Sequence, residues 1–238
     1  MKKKLIFEGS NWSRYFGIII IGLFITVFFY FLAVKVIKRN FNRLTLTLGT
    51  FYILPGTGFF LNFIFLLISP TPQGLILYYI TVFLILFGFI FLVLFLINIL
   101  KIDSRLTLNK QFIITLIYAI FCLLLILFPG GITINEETEW IPIFSWNFLI
   151  VLYIFFTCSV FIPTFILSIR LSKRFSDKIL KSRLKLFFFG IILMFVVFYG
   201  LILYNTWIDS LYRELYTYIS LLVLPAGIFI YYGLVHQL

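Results

Sequence analysis

The charges of this chain are confined to short connectors between long apolar runs, and their sign alternates along the chain. Seven such runs can be marked out, each near the roughly 20 residues that an α-helix needs to cross a hydrocarbon core about 30 Å thick. In lipid a backbone must satisfy its own N–H and C=O groups, so each run is read as a helix. With 63% hydrophobic and only 11% charged residues, the chain cannot cover the surface of a soluble domain, which carries roughly a quarter charged residues. The expected fold class is therefore all-α, a polytopic membrane protein built as a bundle of seven transmembrane helices.

The expected spans are 16–37, 46–68, 75–100, 111–128, 146–169, 186–204 and 215–234. They leave room for short loops, an N-terminal tail over residues 1–15, and a membrane domain over 16–238. Lys2, Lys3 and Lys4 mimic the n-region of a secretory signal. The apolar run that follows is too long for an h-region and has no small-residue cleavage site, so it is expected to stay as the first helix. In the second span Pro55, Gly56 and Gly58 predict a kink.

Orientation follows from the basic residues. Connectors after spans one, three and five carry Lys35, Lys38, Arg39 and Arg43, then Lys101, Arg105 and Lys110, then Arg170, Lys173, Arg174, Lys178, Lys181, Arg183 and Lys185. Those after spans two, four and six hold Arg213 alone among neutral or acidic residues such as Glu136, Glu137, Glu139, Asp209 and Glu214. Positive charge marks the cytoplasmic side, which places the N-terminus outside and the C-terminus inside a cell (plasma) membrane. The net charge of +11 is thus a signal for anionic headgroups, and no nucleic-acid partner is expected. Leu171, Phe175, Ile179, Leu180 and Leu184 recur among the basic residues of the last inner connector as in an amphipathic helix. The connector is either a helical continuation of spans five and six whose basic face snorkels to headgroups, or a docking face for a cytoplasmic partner through Arg170, Lys173, Arg174, Lys178, Lys181, Arg183 and Lys185.

Several chemistries are disfavoured. No Asp, Glu, Lys, Arg or His falls in the middle third of a span, which removes the carboxylates of ion-coupled transport and the lysine of a retinal pigment. His236 is the only histidine, and Cys122 and Cys158 sit inside spans, so no metal site, disulfide framework or cofactor is expected. No nucleophile elbow or phosphate loop occurs, and no enzymatic activity is expected. What remains is a set of uncharged polar and aromatic residues in the outer halves of the spans: Asn62, Tyr78, Tyr79, Trp140, Trp146, Asn147, Tyr199, Tyr204, Asn205, Trp207 and Tyr216. Tyrosine and tryptophan suit an interfacial belt. An asparagine in apolar surroundings needs a hydrogen-bond partner, so it either ties helices together or lines a pocket. Asn62, Tyr79, Trp146, Asn147, Tyr204 and Asn205 are the candidate ligand-binding residues.

Four stretches carry a family resemblance: Leu61-Asn62-Phe63, Trp140-Ile141-Pro142, the basic connector from Arg170 to Lys185, and the ending Tyr231-Tyr232-Gly233-Leu234-Val235-His236-Gln237-Leu238. From about Leu44 onward the chain resembles the seven-helix N-terminal sensor region of archaeal and bacterial membrane histidine kinases. The resemblance implies the same N-out, C-in orientation and an ending that leads into a cytoplasmic signalling domain; the kinase part itself is not in this sequence. The expected function is a receptor-like input module with a small apolar ligand and a cytoplasmic signalling partner. Pro163 and Pro225 are expected either as its pivots or as static kinks. The rivals are a transporter or channel for a neutral or lipid-like substrate, and a membrane assembly protein.

Overall fold

A computed structural model describes residues 12–69, 71–100, 107–175 and 177–234, with side chains described from residue 20 to residue 233 of these. Residues 1–11 of the expected tail, Lys101, Arg105, His236 and the last four residues lie outside this description. Residues 12–15, expected as tail, already belong to the first helix.

Seven helical segments are long and apolar enough to cross a membrane. They are α1 (Trp12–Arg39), α2 (Arg43–Ile68), the pair α3 (Pro72–Gly88) and α4 (Ile90–Leu100), α5 (Leu108–Ile126), the pair α6 (Trp146–Phe156) and α7 (Ile162–Arg174), α8 (Lys178–Thr206), and the pair α9 (Ser210–Ser220) and α10 (Val223–Leu234). Polar connector residues begin the helices. The Asn42 Oδ1 accepts from the Thr45 N–H at 2.9 Å, and the Thr45 hydroxyl in turn accepts from the Asn42 N–H at 3.1 Å. Thr71 caps α3, with Pro72 in its first turn, and Asp177 and Asp209 cap α8 and α9. Each cap satisfies an N–H that a helix start leaves orphaned, which is why connectors of a few residues suffice to reverse the chain.

Three spans expected to be continuous are interrupted near their middle. The third breaks at Phe89, where the chain passes from α3 to α4. Here the ring of Pro55 lies against Gly88 so closely that a Cβ on Gly88 would stand 2.6 Å from the proline Cδ. Helix α2 itself runs through Pro55 without a break, as a kinked rather than a looped span would. In the fifth span a π-helical turn, Thr157–Phe161, precedes Pro163, and the Ile162 N–H reaches back five residues to the Thr157 carbonyl. In the seventh, Pro225 cannot donate to the Leu221 carbonyl. That carbonyl accepts from Leu224 instead at 3.1 Å, and a turn at Leu221–Leu222 separates α9 from α10.

Over 171–185 the connector is helical as a continuation of spans five and six rather than as one separate amphipathic helix. Residues 171–174 end α7, Phe175 is extended, and α8 begins at Lys178, so the basic connector is the tail of one span and the head of the next. Leu171 and Leu184 are buried, while Ile179 is 62% exposed. One apolar stripe cannot face inward across a chain reversal.

The core is aromatic. Phe89 at the break of the third span packs against Phe51, Phe156 and Phe198 with ring centroids 4.7 to 5.8 Å apart, and Phe156 meets Phe198 at 4.1 Å. Helix α4 runs through this core, with Leu92, Phe95 and Leu96 fully buried. By contrast α5 lies at the edge of the bundle and exposes Phe112, Ile117, Phe121 and Leu124.

Candidate functional site

The chain between α5 and α6 folds over one end of the bundle as a small hairpin. Strands β1 (Ile132–Thr133) and β2 (Ile143–Phe144) pair antiparallel, with Ile132 opposite Phe144. Pro129-Gly130-Gly131 leads into it; Gly130 has φ +67°, a left-handed conformation open to glycine at no steric cost. At the hairpin tip Glu139 and Trp140 are also left-handed, with φ 51° and 61°. They are held by bonds from the Trp140 N–H to the Asn135 carbonyl and from the Ile141 N–H to the Thr138 carbonyl, both 2.9 Å. Asn135 and Thr138 also exchange backbone-to-side-chain bonds of 3.0 Å.

This tip roofs a cavity of about 200 Å³. Trp140, Ile141, Pro142 and Phe144 supply the roof, while α1, α2, α3, α6, α8, α9 and α10 supply the walls. The polar residues of the lining are all uncharged and include Asn62, Ser69, Thr81, Tyr204, Asn205 and Thr217. Toward mid-span the lining turns apolar. A void of about 30 Å³, lined by Phe51, Phe89 and Met194, shares Phe59, Ile85 and Phe198 with the cavity. The aromatic core is therefore the floor of the site.

Of the six residues expected to bind a ligand, the fold brings together Asn62, Tyr204 and Asn205. Asn62 comes from the last third of α2. Asn205 sits in the last turn of α8, where its Nδ2 donates to the Leu201 carbonyl at 3.1 Å, which leaves its Oδ1 as an acceptor. Tyr204 lies 5.2 Å from the Tyr216 ring, and the Arg213 guanidinium stacks over it at 5.4 Å. The other three lie off the cavity lining. Tyr79 packs against the core beside it, whereas its neighbour Tyr78 lines the cavity. Trp146 and Asn147, in the first turn of α6, are exposed. Adjacent helical residues point about 100° apart, so Tyr78 can line the cavity while Tyr79 turns beside it. From the wider aromatic and amide set, Trp140 and Tyr216 join the lining, while Tyr199 pairs with Thr157 and Trp207 is 46% exposed.

Ser69, Thr81, Thr217 and Ser220 are cavity residues that the sequence did not single out. Hydroxyls are common in apolar helices because they can bond to their own backbone, so they carry no signal by themselves. Tyrosine hydroxyls brace the same region. Tyr216 donates to the Val197 carbonyl at 2.9 Å, Tyr153 to Tyr199 at 2.7 Å and Tyr212 to Gly200 at 3.1 Å, all three on α8.

At the opposite end lie the basic residues. Arg170, Lys173, Arg174, Lys178, Lys181 and Lys185 are exposed and Arg183 is half-buried. The Arg174 guanidinium also donates to the Leu100 carbonyl at the end of α4. Lys35, near the end of α1, stands over the rings of Tyr231 and Tyr232 at 4.8 and 5.3 Å and thereby clips α1 to α10. No protein-family model matches the chain, and comparison with curated proteins finds no relative.

Proposed function

We propose that this chain is a non-enzymatic membrane receptor module that takes up a small neutral ligand beneath the hairpin and signals its occupancy to a cytoplasmic protein at the basic end. One observation carries the reading: the cavity is uncharged and ends on an aromatic floor at mid-span, as suits a site that holds a ligand. Helix α8 links the two ends without interruption, from Lys178 in the basic region to Asn205 in the cavity lining. Two of the stretches that resemble the sensor region of histidine kinases, Leu61-Asn62-Phe63 and Trp140-Ile141-Pro142, contribute to the cavity, which supports a sensory role. In this reading the hairpin faces outward and the basic end faces the cytoplasm.

A transporter for a neutral solute is the second reading. It is favoured by the interruptions in spans three, five and seven, because discontinuous helices at mid-membrane are a feature of transporter sites. Ser220 lines the cavity and offers a way to separate the two. On a background with Cys122 and Cys158 replaced by alanine, a Ser220→Cys variant should react with an impermeant thiol reagent from the hairpin side only. Labelling from either side in turn would indicate alternating access and sink the receptor reading.

A further inference from the structure

Thr81 is the cavity residue whose chemistry is least explained by the fold. Thr26, Thr50, Thr57, Thr115, Thr206 and Thr217 each donate to the carbonyl four residues earlier at 2.8 to 3.0 Å, whereas the buried hydroxyls of Thr81, Thr164 and Ser168 have no partner, and of these three only Thr81 lines the cavity. This back-bond is the ordinary way to satisfy a hydroxyl in an apolar helix. Thr81 makes no such bond. It is 2% exposed, and its Oγ1 has no hydrogen-bond partner. A buried hydroxyl left without a partner costs about 1–3 kcal/mol. One turn along α2 from Gly58, which packs against the Thr81 backbone, the half-buried Asn62 also lines the cavity, and its amide forms no hydrogen bond among the described residues. The third polar group in the argument, Asn205, already has its Nδ2 engaged by Leu201.

From the hydroxyl of Thr81 and the amide of Asn62 we infer that the cavity recognises a neutral one-ring molecule bearing a carbonyl oxygen. The inference rests on the cavity being a ligand site, as proposed above, and deepens it by naming the chemistry. Both side chains offer N–H or O–H donors, and a carbonyl oxygen has two lone pairs to receive them. A charged ligand is disfavoured because the lining has no ion to pair with it, and an unpaired charge in apolar surroundings is prohibitively costly. The size follows from the volume. A dry cavity of about 150 Å³ holds benzene, so about 200 Å³ suits a single substituted ring rather than a long acyl chain. The aromatic floor receives the ring, and the two donors select its oxygen.

Three probes on one carbon skeleton test this: p-menthane, menthol and menthone, offered to the full chain in lipid nanodiscs at matched membrane concentrations. The readout is the shift in unfolding temperature, converted to an apparent Kd. Menthone should bind about five- to tenfold more tightly than p-menthane, the size expected for one or two net hydrogen bonds. Thr81→Val and Asn62→Leu should each reduce that preference while leaving the p-menthane shift in place, and Thr81→Ser should restore it. Equal binding of menthone and p-menthane would overturn the carbonyl assignment but leave the cavity as a ligand site. Tighter binding of menthol than menthone would likewise overturn it, in favour of a donor ligand. Protection by none of the three would overturn both this inference and the receptor reading on which it rests.

Discussion

At the scale of single residues, the breaks in the helices are tolerated because particular side chains replace the lost backbone partners. The Leu86 carbonyl, in the last turn of α3 before the Phe89 break, accepts from the Tyr118 hydroxyl of α5 at 3.1 Å. Interhelical bonds of this kind contribute about 0.6 kcal/mol on average and up to about 1.7. Tyr118→Phe should therefore destabilise the protein by about 1 kcal/mol in a detergent unfolding titration and should loosen α5, which has few other buried contacts. An unchanged midpoint would show that the break does not depend on this bond. Trp140 presents the opposite case, a residue whose backbone is strained while its side chain roofs the site. A left-handed non-glycine residue costs roughly 1–2 kcal/mol, and such cost at a binding site is a pointer to function. Trp140→Gly should leave the unfolding temperature equal or higher. It should also speed ligand dissociation in a stopped-flow measurement, because the indole no longer covers the cavity.

At the scale of elements, α8 and α10 approach backbone to backbone. A Cβ on Gly190 would stand 2.8 Å from the Ala226 carbonyl oxygen, and one on Gly233 would stand 2.6 Å from the Phe187 nitrogen. Both obstacles are backbone atoms, so the helices would have to separate, and small residues at such crossings are what lets membrane helices approach. Gly190→Val should destabilise by about 1–3 kcal/mol, as overpacking does, read from the same titration. The break between α9 and α10 makes a different prediction. Pro225→Ala restores an N–H able to bond the Leu221 carbonyl, so amide exchange around Leu221–Leu222 should slow while the fold is kept. If the break is a pivot, the same variant should also weaken the coupling between ligand and basic end. Exchange at an unchanged rate would mean that packing, not the proline, sets the turn.

At the scale of the whole molecule, the two ends are chemically distinct. The hairpin end carries Glu136, Glu137, Glu139, Asp209 and Glu214, and the other end carries the lysines and arginines of α7 and α8. On the cysteine-free background, Glu137→Cys should be labelled by an impermeant reagent in intact cells and Ser182→Cys should not. The reverse pattern would invert the orientation and with it the direction of the proposed signal.

The alternation of apolar runs and charged connectors was sufficient to read seven helical spans, because the need to satisfy every backbone group in lipid admits little else. Asn62 and Asn205 were legible as candidates for the same reason: an amide among phenylalanines and leucines stands out whatever the fold. Tertiary structure alone decided which polar residues share a cavity. Tyr78 rather than Tyr79 faces it, Trp146 and Asn147 do not, and Thr81, silent in the sequence, supplies an orphan hydroxyl. In a soluble helix the polar face reveals the inward side by contrast, but here lipid and core are equally apolar, so periodicity carries almost no rotational information. The helix breaks were half-hidden for a related cause. A proline announces a lost bond in its own helix, but that the third span would be interrupted beside Gly88, where Pro55 of α2 packs, could be seen only in the fold.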